Sequence, residues 1–432
     1  MGSADSLAED RPRRAPLQAA LLRPVDDVAT ALMDLAAGTS VTVSSGAVTR
    51  AVTLRVDIRT GHKFAVRDLA RGLRIRKYGE FIGRTTATIA AGAWVHEHNL
   101  ATAAQHGGPG QHEGVAWYDA VEPARVLRVI GAARCHVGEN PLYDERTHSL
   151  WRIDVRETPA IHRIDLADGR ETTWKMAEDI GSVALLERDP SMLLAALRSG
   201  FALFDSTAGA MTPLVDPESD LPLNRMNDGK CDAAGRYWCG SMNPDAATAD
   251  GNLWMLDRDL RCTKVLDDFL TPNGMTWSLD GKTFYLADTR RGYIHAFAFD
   301  VATGTLGERR VFADLGAMPG GPDGATLDVD GYLWSAQFDG GCLVRYAPDG
   351  RIDRVVRVPV TKPTACAFGG KNYRELFVTS ATRGMSESEQ AAEPDAGRVL
   401  VLDVGVGGMP PVRFATRSGQ EKGSDSIFGR DP

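Results

Sequence analysis

Short apolar runs separated by polar turns cover most of the chain, and in its C-terminal two thirds this arrangement repeats. Each repeat starts with a polar segment that leads into an apolar run. A polar turn, a second apolar run and usually a third run that ends in Asp then follow. The repeats start roughly 40 to 50 residues apart, at Val137, Gly181, Arg225, Thr271, Gly321 and Lys362.

This period has a structural meaning because one four-stranded sheet cannot bury both of its faces until neighbouring sheets pack on it. Six repeats of about this length are typical of a β-propeller, so the sequence predicts a six-bladed β-propeller. Residues 125–130, RVLRVI, are an apolar run interrupted by arginines, which is typical of a strand. We expect them to form the outer strand of the last blade, beside the C-terminal strands, and so to close the ring.

The N-terminal part has a different pattern. A short helix is predicted where apolar residues recur at helical spacing after Asp26 and Asp27, one of which would be the N-cap, and before Gly38; these residues are Val28, Leu32 and Leu35. Beyond the helix, short strands separated by Gly-containing turns are predicted at residues 40–44, 51–58, 63–66, 75–78, 85–89 and 94–95. The whole chain is therefore expected to be all-β apart from this helix.

Segments without periodicity divide the chain. Residues 1–16 and 416–432 are polar and are predicted to be tails. Residues 103–120 follow no pattern and contain a run of Gly and Pro, which is typical of a linker. The predicted domains are a small β domain at 17–102 and a propeller at 121–415.

Composition excludes several classes of function. The net charge of −8, with no run rich in Lys or Arg, argues against a nucleic-acid partner. No apolar run approaches the length of a membrane span, and no charged and apolar leader opens the chain, so we expect a cytoplasmic protein without a membrane partner. The six cysteines form no CxxC pair and are interpreted as reduced, buried side chains.

Five polar residues occupy the same offset in different repeats. The first strand of a propeller blade is innermost, so residues at one offset meet around the central channel at one end. These residues are Glu139, Arg225, Asn227, Asn273 and Asp323. For any one of them, the alternative is a local role in a turn, because Asn and Asp favour turns. Their shared offset favours a polar cup.

The chemistry of this cup suits a cation and a cyclic ester. Glu139, Asn273 and Asp323 offer oxygen ligands with two negative charges, which suit a hard divalent cation. A bound cation can polarise an ester carbonyl and lower the pKa of a water molecule. Arg225 and Asn227 are suited to a substrate carbonyl or ring hydroxyls. A cyclic ester of a sugar acid fits both the proposed metal ligands and the proposed substrate-binding residues.

The motifs that carry these residues resemble those of the gluconolactonase/regucalcin (SMP-30-like) family of sugar lactonases. They are GENP at 138–141, RMNDGK at 225–230, PNGMTWS at 272–278, PDG at 322–324 and CAFGGKNY at 366–373. The resemblance implies that Glu139, Asn273 and Asp323 coordinate one divalent metal ion, which could be Ca, Zn, Mn or Mg. It also implies that Arg225 and Asn227 bind substrate and that Asp323 is the catalytic general base.

One region departs from the family pattern. Some members place a further substrate-binding acid before the outer strand of the third blade, whereas residues 247–252 of this chain, ATADGN, give no secure match. This departure leaves the identity of the sugar open.

Three N-terminal blocks resemble the SAF domain of altronate and galactarate dehydratases, a β-clip fold. They are RTGHKFAV at 59–66, IRKYGEFIGR at 75–84 and IAAGAWVHEHNL at 89–100. In that family the domain accompanies a much larger dehydratase body, which has no counterpart here. His96 and His98 would lie on the same side of an extended segment, and His62 lies on a predicted turn. These histidines could bind a metal, sugar hydroxyls or a sugar acid, or they could be solvated surface residues.

Together the residues and resemblances predict a metal-dependent lactonase that opens a sugar-acid lactone. A lactonase releases the acid on which a dehydratase of this type acts, so we expect a separately encoded dehydratase large subunit to bind the SAF domain. Alternatively, the SAF domain binds the acid product through His62, His96 and His98. The alternative function, from a class of proteins other than enzymes, is a non-catalytic, metal-binding propeller that acts as an adaptor on a dehydratase.

Overall fold

The computed structural model describes residues 17–101, 121–244, 248–316 and 318–416. The chain divides into two compact units, residues 1–105 and 106–432, and each is described by itself. The predicted tail at 1–16 and the predicted linker at 103–120 lie outside the described residues, as does the predicted tail at 416–432 apart from Thr416.

Nine short strands form the N-terminal unit. They are β1 (Ala19–Ala20), β2 (Val28–Ala31), β3 (Ser40–Ser45), β4 (Val48–Thr53), β5 (Lys63–Ala65), β6 (Arg74–Lys77), β7 (Glu80–Thr85), β8 (Trp94–Val95) and β9 (Leu100–Ala101). Strands β1, β2, β5 and β8 form one sheet in that order, β3 and β4 pair as a hairpin, and β6, β7 and β9 form a third sheet. An apolar core that includes Val41, Val43, Val52 and Phe64 lies within this unit.

The helix predicted after Asp26 is wrong. Val28–Ala31 is strand β2, which pairs antiparallel with both β1 and β5. Asp26 does not cap a helix: its carboxylate accepts the backbone N–H of Arg23 and of Gly79. Two neighbouring strands therefore satisfy the backbone of this segment, so its apolar spacing reflects burial on both faces of a strand.

Two of the predicted strands are also displaced. The strand expected at 51–58 is β4, Val48–Thr53, and Ile58 instead makes an isolated β-bridge with Leu35. The strand expected at 85–89 ends at Thr85 as β7, and Ile89 bridges to Leu69. Isolated bridges bury single apolar side chains that a sequence pattern does not distinguish from strand residues.

The described part of the C-terminal unit contains six sheets. The first sheet is β12 (Gly138–Asp144), β13 (Ser149–Asp154), β14 (Ala160–Asp165) and β15 (Glu171–Lys175). The second is β16 (Ile180–Leu185), β17 (Met192–Leu197), β18 (Gly200–Asp205) and β19 (Ala210–Val215). The third is β20 (Arg225–Cys231), β21 (Tyr237–Met242), β22 (Gly251–Leu256) and β23 (Cys262–Phe269).

The other three sheets follow the same order along the chain. The fourth is β24 (Pro272–Trp277), β25 (Thr283–Asp288), β26 (Tyr293–Asp300) and β27 (Thr305–Asp314). The fifth is β28 (Gly321–Leu327), β29 (Leu333–Phe338), β30 (Cys342–Tyr346) and β31 (Ile352–Arg357), with β10 (Val121–Pro123) added parallel to β31. The sixth is β32 (Pro363–Gly369), β33 (Glu375–Ser380), β34 (Val399–Asp403) and β11 (Arg125–Ile130).

The first strands of consecutive sheets contact one another, and β32 also contacts β12. Strand β11 pairs antiparallel with β34, as the pattern of residues 125–130 predicted. In the described part of the chain the helices are α1 (Glu387–Ala392) and a 3₁₀ turn at Lys371–Tyr373, and neither is long and apolar enough to cross a membrane. The prediction of a nearly all-β protein is confirmed.

Apolar side chains fill the space between neighbouring sheets, and two of the largest are held by polar contacts. Trp238 and Trp334 are fully buried on the second strands of the third and fifth sheets. The indole Nε1 of Trp238 donates to Asp232 and that of Trp334 donates to Asp328. All six cysteines are free and five are buried, as predicted.

Replacing Asp328 with Ala tests this arrangement. The carboxylate accepts from Trp334 Nε1 at 2.9 Å and from Arg345 Nε at 2.8 Å. We expect the substitution to lower the free energy of unfolding by about 2 to 4 kcal/mol, since it leaves buried donors unsatisfied. The control is Asp349→Ala, because Asp349 forms an exposed ion pair with Arg351 and should cost less than about 1 kcal/mol. Equal losses in urea unfolding would contradict this account.

Candidate active site

The five predicted cup residues lie at the beginning of four first strands. Glu139 is the second residue of β12, Arg225 and Asn227 are the first and third residues of β20, Asn273 is the second residue of β24, and Asp323 is the third residue of β28. A register shift begins at Glu139 and Asn273 and spans Asn227 and Asp323, and such irregularities bend a strand.

A chain of hydrogen bonds links three of these residues across neighbouring sheets. Arg225 Nη1 donates to Asn227 Oδ1 at 2.8 Å. Asn227 Nδ2 donates to Asn273 Oδ1 at 2.6 Å, and Asn273 Nδ2 donates to Thr289 Oγ1 at 2.8 Å. The Thr289 hydroxyl donates to the Pro322 carbonyl, one residue before Asp323, at 2.7 Å. The structure therefore brings the third, fourth and fifth sheets together at the cup.

Thr289 determines how the Asn273 amide is oriented. Its hydroxyl donates to Pro322, so it accepts from Asn273, and the amide nitrogen of Asn273 must face it. The Asn273 oxygen consequently faces Asn227. The sequence analysis missed Thr289 because it follows the second strand of its sheet and belongs to none of the repeated first-strand motifs.

Glu139 and Asp323 are two carboxylates at one buried site. Burial raises the pKa of Glu139 to about 8, with a further contribution from the charge of Asp228. Burial also raises the pKa of Asp323 well above its ordinary value, and the charges of Glu139 and Asp228 add to this effect. A divalent cation would offset the repulsion between these carboxylates, so the donor set fits such an ion.

Asp228 is a third buried carboxylate that the sequence analysis quoted within a motif but did not assign. Burial raises its pKa, while Lys230 and the backbone N–H groups of Met275 and Gly274 act in the opposite direction. The ammonium of Lys230 donates to the Ala325 carbonyl at 2.6 Å. Asp228 is thus offset by a lysine and by backbone donors within the protein.

A cavity of about 210 Å³ lies among the later residues of the first strands. Its walls include Leu142, Trp277, Phe368 and Met409, together with Asp228 and Lys230. None of the five cup residues lines it. Asp228 therefore lies between the polar cup and a mostly apolar cavity.

The described residues hold no group of three or more His, Cys, Asp and Glu side chains arranged for a metal ion. A cation at the cup would accordingly be held by the two carboxylates, Glu139 and Asp323, together with the amide oxygen of Asn273. Carboxylate and amide oxygens suit hard divalent cations.

The segment with no secure match to the family surrounds a different acid, Glu218. Asn252 Nδ2 and Trp254 Nε1 donate to its Oε1 at 2.6 and 2.8 Å, and Asn224 Nδ2 donates to its Oε2 at 2.9 Å. Ser241 also donates to Oε1. Glu218 is therefore satisfied inside the protein. Ala247, at the start of that segment, lies outside the described residues.

In the N-terminal unit the three predicted histidines surround Trp94. Trp94 Nε1 donates to His62 Nδ1 at 3.1 Å, so the proton of neutral His62 is on Nε2. The ring centroids of His96 and His98 lie 4.9 and 5.2 Å from that of Trp94. His96 also stacks on His62 at 5.8 Å.

His96 and His98 do not lie on an extended segment, the condition under which they would have shared one side, although the strand predicted at 94–95 is confirmed. Strand β8 ends at Val95 and the chain turns at residues 96–99, because Asn99 Oδ1 accepts the N–H of His96 while its Nδ2 donates to Trp94 O. The sequence analysis did not assign Trp94, although it is an aromatic residue placed between the predicted histidines.

Two family models match the chain. Residues 137–382 match the SMP-30/Gluconolactonase/LRE-like region, and residues 18–103 match the altronate/galactarate dehydratase SAF domain. Regucalcin of Gallus gallus is 36% identical over 296 residues, which cover 67% of this chain and 98% of that protein.

Solved structures agree. A calcium-binding protein, regucalcin, from Agrobacterium tumefaciens aligns with a TM-score of 0.65 and 31% identity, over 68% of this chain and 99% of that chain. A luciferin-regenerating enzyme aligns with a TM-score of 0.62 and 27% identity, over 66% and 97%. Both resemblances found in the motifs are confirmed: the chain belongs to the SMP-30/gluconolactonase/LRE-like family and carries an N-terminal SAF domain of the altronate/galactarate dehydratase type.

Proposed function

We propose that the C-terminal unit is a six-bladed β-propeller that hydrolyses a sugar-acid lactone with one divalent metal ion. The observation that carries this proposal is the meeting of Glu139, Arg225, Asn227, Asn273 and Asp323 from four sheets at one end of their first strands. The six sheets, five of four strands and one of five, support the blade count, and the pairing of β11 with β34 supports closure of the ring. Membership of the gluconolactonase family supports a lactone as the substrate class.

Glu139, Asn273 and Asp323 would hold the cation. When bound, it would supply Lewis acidity toward the ester carbonyl and lower the pKa of a water molecule. Their fit rests on two buried carboxylates with raised pKa values and on an amide oxygen whose orientation Thr289 determines. Ca, Zn, Mn and Mg all remain candidates, and the regucalcin described as calcium-binding supports a hard divalent ion.

The protein's own groups would bind and orient the lactone. Arg225 and Asn227 would donate to its carbonyl or ring hydroxyls, and their mutual hydrogen bond would hold both side chains in place. Asp323 would accept a proton from the water molecule whose oxygen adds to the carbonyl carbon. The bond from this carbon to the ring oxygen would then break, and that oxygen would receive a proton and leave as a hydroxyl of the open acid.

The SAF domain would couple lactone opening to dehydration of the acid. We infer that a separately encoded dehydratase large subunit binds residues 17–102, or that His62, His96 and His98 bind the acid itself. The hydrogen bond from Trp94 orients neutral His62 so that its Nε2–H can donate to a carboxylate or hydroxyl. The predicted linker at 103–120 would then tether the SAF domain to the lactonase, which raises the local concentration of the dehydratase site near the lactonase site.

Removal of the metal and removal of the base test the lactonase. EDTA should abolish hydrolysis of an aldonolactone, and a divalent cation should restore it. Asp323→Asn should leave less than about a tenth of the wild-type kcat, because a general base is typically worth 10² or more. Asp349→Asn, at an exposed ion pair, is the matched control. Full activity in EDTA would contradict the metal requirement, and a kcat above about a tenth of the wild-type value in Asp323→Asn would contradict the assignment of the base. No hydrolysis by the metal-loaded wild-type protein would favour a non-catalytic adaptor.

Arg225→Ala separates substrate binding from metal binding. The guanidinium is outside the proposed metal ligands, so we expect about one bound metal ion per chain and at least a tenfold lower kcat/KM, since a charge-assisted hydrogen bond is lost. Elemental analysis and steady-state kinetics would measure the two effects. Loss of the metal in this variant would show that the roles are misassigned.

A pull-down tests the coupling. The full chain and a copy that begins at residue 111 would each be used to capture purified sugar-acid dehydratase large subunit. We expect only the full chain to bind it. Weaker capture by the triple variant H62A/H96A/H98A would show that the interface uses these histidines. Equal capture by both chains, or capture by neither, would contradict a docking role for residues 17–102.

A further inference from the structure

Two arginines lie on loops whose backbones are hydrogen-bonded to the residues that precede β12, the strand of Glu139. Arg156 follows β13, and the residue before it, Val155, donates its N–H to Val137 O at 3.0 Å. Arg383 follows β33, and its own N–H donates to His136 O at 3.0 Å. Residues 136 and 137 lead directly into β12, so both arginines flank the end of the first sheet at which Glu139 lies.

Arg225, the arginine of the cup, interacts electrostatically with both of these arginines. Burial lowers its pKa to about 10, and both Arg156 and Arg383 contribute to the lowering while Asp179 opposes it. Burial lowers the pKa of Arg383, and the positive charge of Arg156 lowers it further. The three positive charges are therefore close enough to repel one another.

Carboxylates pair with only part of this positive charge. Arg156 Nε lies 3.5 Å from Asp179 Oδ2. Asp339, a carboxylate that attracts Arg383, already forms an ion pair with Lys362. Within the described ranges, no ion pair joins Arg225 or Arg383 to a carboxylate, although Glu157 and Asp339 attract Arg383 from farther away.

Arg225 also retains unused hydrogen-bonding capacity. It is only 7% exposed. Among the described residues its Nε has no hydrogen-bond partner and its Nη2 contacts only the sulfur of Met242, at 3.6 Å. A buried guanidinium nitrogen without a partner is costly, so an anion from the substrate would stabilise this arrangement. If a cation at the cup offsets Glu139 and Asp323, the charges of Arg225 and Arg383 remain to be offset.

We propose that the cup selects lactones that carry a free carboxylate, such as the monolactone of a sugar dicarboxylic acid. Arg383 binds this carboxylate, Arg225 contributes its positive charge, and Arg156, held by Asp179, positions the anion between them. Guanidinium groups match carboxylates in geometry and form charge-assisted hydrogen bonds. This inference rests on the lactonase function proposed above and names its substrate class.

The test compares two lactones of the same ring size and stereochemistry, one ending in a carboxylate and one in a hydroxymethyl group. For the metal-loaded full chain, we expect kcat/KM to be at least about tenfold higher for the acidic lactone, since a hydrogen bond between charged groups contributes a factor of this order. The preference should shrink as salt is raised from about 0.01 M to 0.5 M.

Arg383→Gln should lower the ratio of the two kcat/KM values about tenfold, while Arg170→Gln should leave it unchanged. Arg170 is an exposed arginine between β14 and β15, and Arg156 lies between β13 and β14, so the two are at opposite ends of β14. The control thus makes the same change in charge away from the cup.

A wild-type preference for the neutral lactone, or a ratio unaffected by Arg383→Gln, would overturn the proposal. A higher kcat/KM for a phosphorylated lactone than for the carboxylated one would overturn the choice of carboxylate. If the metal-loaded protein hydrolyses none of these lactones, the lactonase function itself fails. Calorimetric binding of the open dicarboxylic and monocarboxylic acids then decides: a tenfold preference for the former, lost in Arg383→Gln, supports the anion site, and equal affinities overturn it.

Discussion

The close approach of the first strands is the constraint on which the rest of the C-terminal unit depends. A side chain at Gly181 would collide with the Met226 carbonyl of the next sheet, and one at Gly324 would collide with Ala365. Gly274 has φ +58°, and a Cβ there would meet the Asp323 carbonyl at 2.6 Å. Glycine at these positions lets the strands meet, and this contact brings Asn273 and Asp323 into one cup.

This packing explains why much of the C-terminal fold and cup could be predicted from sequence. Glu139, Asn273 and Asp323 occupy the same place in their repeats, so a periodic pattern alone was enough to group them. The partner of residues 125–130 could be predicted for the same reason, since the sixth repeat is one strand short without them. Repetition converts a long-range contact into a local sequence pattern.

Features that depend on contacts between different elements could not be predicted in this way. Thr289 contributes through Asn273 and the Pro322 carbonyl, and no spacing in its own segment indicates either partner. In the N-terminal unit, Val28–Ala31 has an apolar spacing that suits a helix as well as a strand, and only pairing with β1 and β5 decides between them. That unit has no repeat that would have indicated the pairing.

The cup also accumulates unfavourable charge, as functional sites commonly do. Three carboxylates, those of Glu139, Asp228 and Asp323, are buried, and the charge of Asp228 raises the pKa values of the other two. They differ in what can offset them. Asp228 accepts from backbone N–H groups and is opposed by Lys230, whose ammonium is anchored on the Ala325 carbonyl.

Within the described residues Glu139 and Asp323 form no ion pair, and the charge of Arg225, which donates to Asn227, attracts both carboxylates without contacting them. A cation at the proposed site would therefore bind to the two carboxylates that the protein leaves without an ion-pair partner. Asp228 would face the cavity on the other side, where Lys230 already offsets its charge. Two carboxylates and one neutral amide would carry the charge that a single divalent cation can balance, which is why the proposed site would hold one such ion.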